Sequence, residues 1–263
     1  MDDSMRGRVA LVTGSGKQRV GNVIARTLAA RGFHIALHYR TSAQDAQKTI
    51  QSLRAHGVRA EAFQADVSVE ADVDRLFRQT LDCFGRLDAL VTAAAVWEPK
   101  PLEQIIADDL RRQFEINALG TFLCCQRAGL IMVEQPEGGA IVTIGDWAVA
   151  RPYPDYAAYL VSKGSIPAIT RTLAVELAQR NPAVRVNCIL PGPVMLPADL
   201  PAHERREAIA GTLVRRIGKP EHVAHAVLFL VENDFVTGVC LPVDGGRTIA
   251  SGAGWGRKDG AGE

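Results

Sequence analysis

Short apolar runs alternate with amphipathic stretches along almost the whole chain, and few architectures accommodate that pattern. The apolar runs are Arg8–Val12, Phe33–Tyr39, Arg59–Gln64, Ala89–Ala93, Ala140–Ile144, Arg185–Leu190 and Val239–Val243. They are too short for helices and too apolar for strands with one wet face, so they read as strands covered on both sides. Between them, Val20–Arg31, Ala43–His56, Val73–Phe84, Leu110–Val133, Tyr159–Arg180 and Pro220–Glu232 read as helices. Parallel strands need crossovers of this kind. The pattern therefore predicts an α/β fold: one doubly wound parallel sheet with helices on both faces, in a single domain over residues 1–263. No internal repeat or linker interrupts it. Residues 247–263, after Asp244-Gly245-Gly246, read as a flexible, Gly-rich C-terminal tail.

A net charge of +1 leaves no cationic surplus for a polyanion, so a small-molecule substrate is expected and a nucleic-acid partner is not. No apolar run approaches the ~20 residues of a membrane span. Met1-Asp2-Asp3-Ser4-Met5-Arg6 lacks the apolar segment of a secretory signal, so a cytoplasmic location without a membrane partner is expected. Cys83, Cys124, Cys125, Cys188 and Cys240 show neither CxxC nor Cys/His ligand spacing. They read as reduced thiols, and no metal site is expected.

The first strand runs into Thr13-Gly14-Ser15-Gly16-Lys17-Gln18-Arg19-Val20-Gly21. Glycines at that turn let backbone approach a pyrophosphate, and the following helix N-terminus adds unpaired N–H groups and a positive dipole end. This makes the sheet a Rossmann-type dinucleotide site, with Gly14, Lys17, Arg19, Val20 and Gly21 at the phosphates. At the end of the second strand, an NAD site usually carries an acid for the ribose hydroxyl. Here the segment is His38-Tyr39-Arg40-Thr41-Ser42. A guanidinium and hydroxyls suit a 2′-phosphate, so Tyr39, Arg40, Thr41 and Ser42 point to NADP(H). Asp66, after the third strand, is placed to accept from the adenine amino group.

Tyr159-Leu160-Val161-Ser162-Lys163 puts a phenol and an ammonium at i and i+4, on one helix face. A phenol is a poor acid–base group at neutral pH unless a cation stabilises its phenolate. The glycine turn, Asn117 in Ile116-Asn117-Ala118-Leu119-Gly120, the Tyr159/Lys163 pair, Pro191-Gly192 and Val243-Asp244-Gly245-Gly246 together resemble the short-chain dehydrogenase/reductase family over nearly the whole chain. The resemblance implies that Tyr159 exchanges the proton, that Lys163 binds the nicotinamide ribose and lowers the tyrosine pKa, and that Asn117 holds a relay water. It also implies cofactor contacts at Val67, Ala93, Ala94, Pro191, Gly192 and Val194. A homotetramer is a further implication, with Leu110–Val133 and Tyr159–Arg180 at an interface. Ala158, Ile166, Ile169 and Leu173 are apolar positions compatible with that packing.

Two departures bear on substrate. The family's Asn-Asn-Ala-Gly is Thr92-Ala93-Ala94-Ala95 here, and its serine thirteen residues before the tyrosine is Asp146. A serine hydroxyl donates to a carbonyl oxygen, whereas an ionised carboxylate accepts from N–H groups or moves a proton to a ring nitrogen. Asp146 resembles the pteridine reductases and bacterial dihydromonapterin reductases, as do Lys17 and Arg19 in the first turn. Tyr156 is similar to a substrate-side tyrosine of that subgroup, and Trp97 to an aromatic that sandwiches a flat ring against nicotinamide. Ala95 stands where the subgroup has a pterin-contacting serine. Trp147 and Tyr153 lie close enough in sequence to line the same cleft. The expected activity is NADPH-dependent reduction of a pterin-like flat N-heterocycle, with Asp146, Tyr159, Lys163 and Asn117 catalytic and Trp97, Tyr156, Ala95 and Arg19 at the substrate. A carbonyl (ketone or aldehyde) reductase that accepts Asp for Ser stays open. An NADP-binding sensor without turnover has no use for Asn117, Tyr159 and Lys163.

Overall fold

The computed structural model of the chain describes residues 7–250. Seven parallel strands form one sheet in the order β3-β2-β1-β4-β5-β6-β7. They are β1 (Val9–Thr13), β2 (His34–Tyr39), β3 (Ala60–Gln64), β4 (Ala89–Thr92), β5 (Gly139–Ile144), β6 (Val184–Pro191) and β7 (Cys240–Val243). The helices are α1 (Val20–Ala30), α2 (Ala43–Arg54), α3 (Glu70–Phe84), α4 (Ala107–Phe114), α5 (Gly120–Val133), α6 (Ala157–Gly164), α7 (Ile166–Ala178), α8 (Ala202–Ala210) and α9 (Pro220–Glu232).

Successive strand residues point to opposite faces, and the core divides accordingly. Ala10, Val12, Ile35, Leu37, Val91 and Val142 pack with α1, α2 and α9. Leu11, Ala36, Leu90 and Ile141 pack with α3, α5 and α7. Burial on both faces accounts for the unbroken apolar strands. Construction proceeds outward in both directions from the seam between β1 and β4, so a crevice opens beyond the carboxyl ends of these two strands. Gly14 closes it tightly. Its φ is +65°, and a Cβ there would lie 2.7 Å from Ala94 Cα.

The helix expected over Leu110–Val133 starts earlier and is interrupted by a π-helical turn at Glu115–Leu119. The stretch Ala107–Val133 has the length and composition of a membrane span, yet most of its apolar window is buried. Packing against the sheet accounts for its apolarity. The helix expected over Tyr159–Arg180 divides at Ser165, with Pro167 in the first turn of α7, a place where its missing N–H costs nothing. The short helix α8 was not expected.

Residues 251–263 and Met1–Arg6, on which the tail and leader expectations fell, lie outside the described residues. Of the expected tail, residues 247–250 are described. The Arg247 guanidinium lies 4.6 Å over the Trp147 ring, and Ala250 is buried. Ala158, Ile166 and Leu173 also face inward and are buried within the chain. At these positions the apolar side chain packs within the chain, and Ile169 is half-buried beside the same core.

Candidate active site

β5 ends at Ile144, Gly145 turns the chain, and Asp146 follows in extended conformation. Its Oδ1 accepts from Ala148 N at 2.8 Å and its Oδ2 accepts from the Tyr159 hydroxyl at 2.7 Å. Burial holds the Asp146 carboxyl above the usual carboxylate range, against the opposing effects of those two hydrogen bonds and of Lys163. Tyr159 is buried in α6, and both burial and the neighbouring Asp146 push its phenol well up. The phenol therefore keeps its proton in this arrangement.

Lys163 is buried one helical turn beyond Tyr159. Its ammonium donates to the Ile144 carbonyl oxygen at 2.8 Å, and burial lowers its pKa. It is tied to the strand end that leads to Asp146, and the hydrogen-bond partner of the phenol is the Asp146 carboxylate. Asn117 sits in the π-helical turn and is fully buried. Its Oδ1 accepts from Val96 N at 2.9 Å, while Nδ2 reaches Val96 O, Gln113 Oε1 and Ser162 Oγ at 3.0–3.1 Å. The side chain is thus committed to bracing the segment after β4 against α6. Gln113 and Ser162 complete that brace and were not picked out in the sequence. Ser162 lies inside the Tyr159/Lys163 spacing, and Gln113 lies one helical turn before Asn117, which is the signal available for each.

An aromatic wall leads outward from Tyr159. Tyr156 meets it edge-on with centroids 6.4 Å apart, and Trp97 stacks on Tyr156 at 4.8 Å with planes 14° apart. Tyr153 meets Tyr156 edge-on at 5.0 Å and accepts a hydrogen bond from Trp97 Nε1 at 3.2 Å. Burial pushes its phenol up to about 12. Trp147 stacks on Tyr153 at 6.0 Å. The structure therefore gathers Trp97, Trp147, Tyr153 and Tyr156 around Tyr159. It adds Arg247, from beyond β7, which nothing local in the sequence marks. Ala95 is exposed on the segment leading to Trp97.

The phosphate end lies across the seam. α1 starts at Val20 with no side-chain cap and no acid in its first turn, so no side chain of its own offsets the positive end of the helix. A Cβ on Gly21 would stand 2.8 Å from the Gly14 carbonyl, and one on Gly16 would press on Tyr39 and Ser42. Lys17, Arg19, Arg40 and Thr41 are exposed around this turn. Asp66 is already engaged: Oδ1 accepts from Ser68 N and Oγ, and Arg40 lies 3.4 Å from Oδ2. Val67 is buried against Gly120. Ala94 N donates to Thr13 Oγ1 at 3.1 Å beside Ala93. Thr92 Oγ1, at the end of β4, is buried without a hydrogen-bond partner. Pro191 ends β6, Gly192 N donates to Val243 O at 3.0 Å, and Val194 follows in the same loop.

A family model described as enoyl-(acyl carrier protein) reductase matches residues 15–248. The chain belongs to the short-chain dehydrogenase/reductase family. It is 33% identical to 3β-hydroxysteroid dehydrogenase 1 of Eggerthella lenta, across 96% of this chain and 98% of that one. It is 32% identical to a 3-oxoacyl-[acyl-carrier-protein] reductase of Synechocystis, across 94% and 99%. The crystal structure of NAD+-bound xylitol dehydrogenase superposes with a TM-score of 0.85 at 31% identity, covering 92% of this chain and 99% of that chain. As a short-chain oxidoreductase the chain uses a nicotinamide dinucleotide. The glycine cradle, the uncapped α1 N-terminus and the close approach of Gly14 to Ala94 fit that group.

The Tyr159 hydroxyl joins the aromatic wall to the buried Asp146 carboxyl. Replacing Tyr159 by Phe is expected to abolish turnover while leaving dinucleotide binding, read by cofactor fluorescence, nearly unchanged. Substantial turnover in that variant would transfer the proton role to Asp146.

Proposed function

We propose that the protein is an NADPH-dependent reductase of flat rings that carry N–H groups, of the dihydropterin kind. The observation that carries this reading is the 2.7 Å hydrogen bond between Tyr159 and Asp146 Oδ2. A carboxyl stands where a ketone-reducing site needs a neutral donor. Bound NADPH supplies the hydride. Asp146 accepts from the ring's N–H edge, and burial makes it a readier proton acceptor than a surface aspartate. Protonated from solvent before the ring binds, it passes that proton to the phenol oxygen as Tyr159 gives its own to the ring nitrogen beside the carbon that takes the hydride. Lys163 anchors the end of β5 that carries Asp146, and the aromatic wall excludes water from the exchange.

NADPH is favoured because the end of β2 offers Arg40, Thr41 and Ser42 and no acid. The Arg40 guanidinium is about half exposed, and among the described residues its hydrogen-bond contact is a 3.4 Å one to Asp66, so a 2′-phosphate meets little competition for it. A second reading, reduction of a ketone or aldehyde, draws on the Trp97–Tyr156 stack, which covers one face of Trp97. It draws also on relatives named for hydroxysteroid and oxoacyl substrates.

A homotetramer is proposed as well, built on α5 and on α6–α7. Within the stretches Leu110–Val133 and Tyr159–Arg180, Leu110, Phe114, Leu119, Leu130, Val161 and Val175 are exposed apolar side chains.

Three measurements check these proposals. Replacing Arg40 by Asp is expected to lower kcat/KM for NADPH roughly tenfold to a hundredfold and to leave NADH little changed; equal use of both cofactors by the unmodified protein would sink the NADPH assignment. With dihydrobiopterin, dihydrofolate and a panel of ketones, cofactor consumption should be seen with the dihydropterins. Asp146→Ser should then suppress it on the order of a hundredfold while sparing ketones. Ketone turnover with no dihydropterin bound or reduced would replace the first reading by the second. Static light scattering at micromolar concentration should give four times the chain mass, and a monomer would refute the assembly.

A further inference from the structure

A histidine in a central parallel strand is out of place unless its nitrogens are satisfied. His38 is such a residue, only 2% exposed, one position before Tyr39 in β2. Its Nδ1 accepts a hydrogen bond from Gly14 N at 3.0 Å, and its Nε2 lies 3.0 Å from Ala65 O. A peptide N–H only donates and a carbonyl oxygen only accepts. The ring is therefore fixed as the neutral tautomer, with its hydrogen on Nε2 and its lone pair on Nδ1. Backbone bonds run beside it: Ser15 N donates to His38 O at 3.1 Å, and Ala65 N donates to Tyr39 O at 3.1 Å. One side chain thus ties the phosphate turn of β1 to the loop after β3, across the width of β2.

We propose that His38 is a positioning residue for the dinucleotide: it holds the Gly14 turn at a fixed spacing from the Ala65–Asp66 loop, and it holds it only while its ring is neutral. The proposal rests on the family's cofactor site and is independent of substrate and of the choice between NADPH and NADH. Gly14 has no freedom to find another acceptor, since its φ of +65° is set by the close approach to Ala94. Protonation at Nδ1 would place two N–H donors against each other at 3.0 Å. Burial lowers the His38 pKa and keeps the ring neutral, opposed by the Ala65 carbonyl and by Asp66 and Asp72 from the segment after β3. From the β1 turn, what meets the ring is the backbone amide of Gly14. Lys17 and Arg19 of that turn are exposed. The folded pKa lies below the ordinary histidine value, so the contact is fully present at neutral pH and is lost as pH falls through that lowered value.

The experiment is a fluorescence titration of NADPH and of NADH into the unmodified protein, His38→Leu and His38→Asn, from neutral pH down into the acid range. Circular dichroism and urea unfolding establish that each variant is folded. Leucine keeps the volume but leaves Gly14 N–H and Ala65 O without partners. It is expected to weaken both dinucleotides about tenfold or more. Asparagine places an oxygen near the former Nδ1. It is expected to keep most of the neutral-pH affinity and to lose the acid-side fall shown by the unmodified protein. An equal effect on both cofactors separates this role from that of Arg40. Unchanged affinity in His38→Leu overturns the proposal, as does an unaltered acid-side fall in His38→Asn. Binding by His38→Asn as weak as that of His38→Leu at every pH also overturns it. If His38→Leu does not fold, the pH profile of His38→Asn decides.

Discussion

The contact between the Gly14 turn and the backbone at Ala93–Ala94 sits at the seam from which the whole sheet is built outward. β1 and β4 are neighbours in space and far apart in sequence, and they pair in parallel register from Ala10↔Ala89 to Thr13↔Thr92. Beyond that register the two chains separate, and only a residue without a side chain lets them pass so closely. The crevice, the exposed N-terminus of α1 and the backbone approach to a pyrophosphate all follow from that one meeting. The two apolar cores hold the strands in place on either side but do not themselves create a site.

The chemical end answers to a different constraint, the cost of burying charge. Asp146, Tyr159 and Lys163 share a small volume at the end of β5, and burial shifts each toward its neutral form. Hydrogen bonds among Asp146, Tyr159 and the Ile144 carbonyl satisfy them without a full ion pair. Such a site holds protons that are readily redistributed, which is what an oxidoreductase requires beside a hydride carrier. The Asn117 brace keeps this cluster and the Trp97 segment in one frame.

Much of this was legible in the residues. Strand–helix alternation gave the sheet, because a strand buried on both faces must be apolar throughout. The glycine turn and the Tyr159/Lys163 spacing gave the two ends of the cleft. What escaped depends on contacts between distant segments. The π-helical turn at Asn117 leaves no mark in a helical apolar pattern. The target of Lys163 depends on where β5 ends relative to α6. Ala158, Ile166 and Leu173 show that an apolar helix position does not say which side of the helix is covered. His38 reads as one more residue of a strand until the structure brings Gly14 and Ala65 to either side of it.

Arg247 lies over Trp147, and Arg151 donates to the carbonyl oxygens of Arg247 and Ala250, contacts that span 96 and 99 positions of sequence. The segment after edge strand β7 thereby packs against the aromatic wall, while Asp146 follows β5 and Tyr159 lies on α6. Residues about a hundred positions apart in sequence thus meet at the aromatic wall. A substitution at Arg247 acts on Trp147 across that distance, so the carboxyl-terminal edge can shift the aromatic wall while leaving the Asp146–Tyr159 hydrogen bond in place.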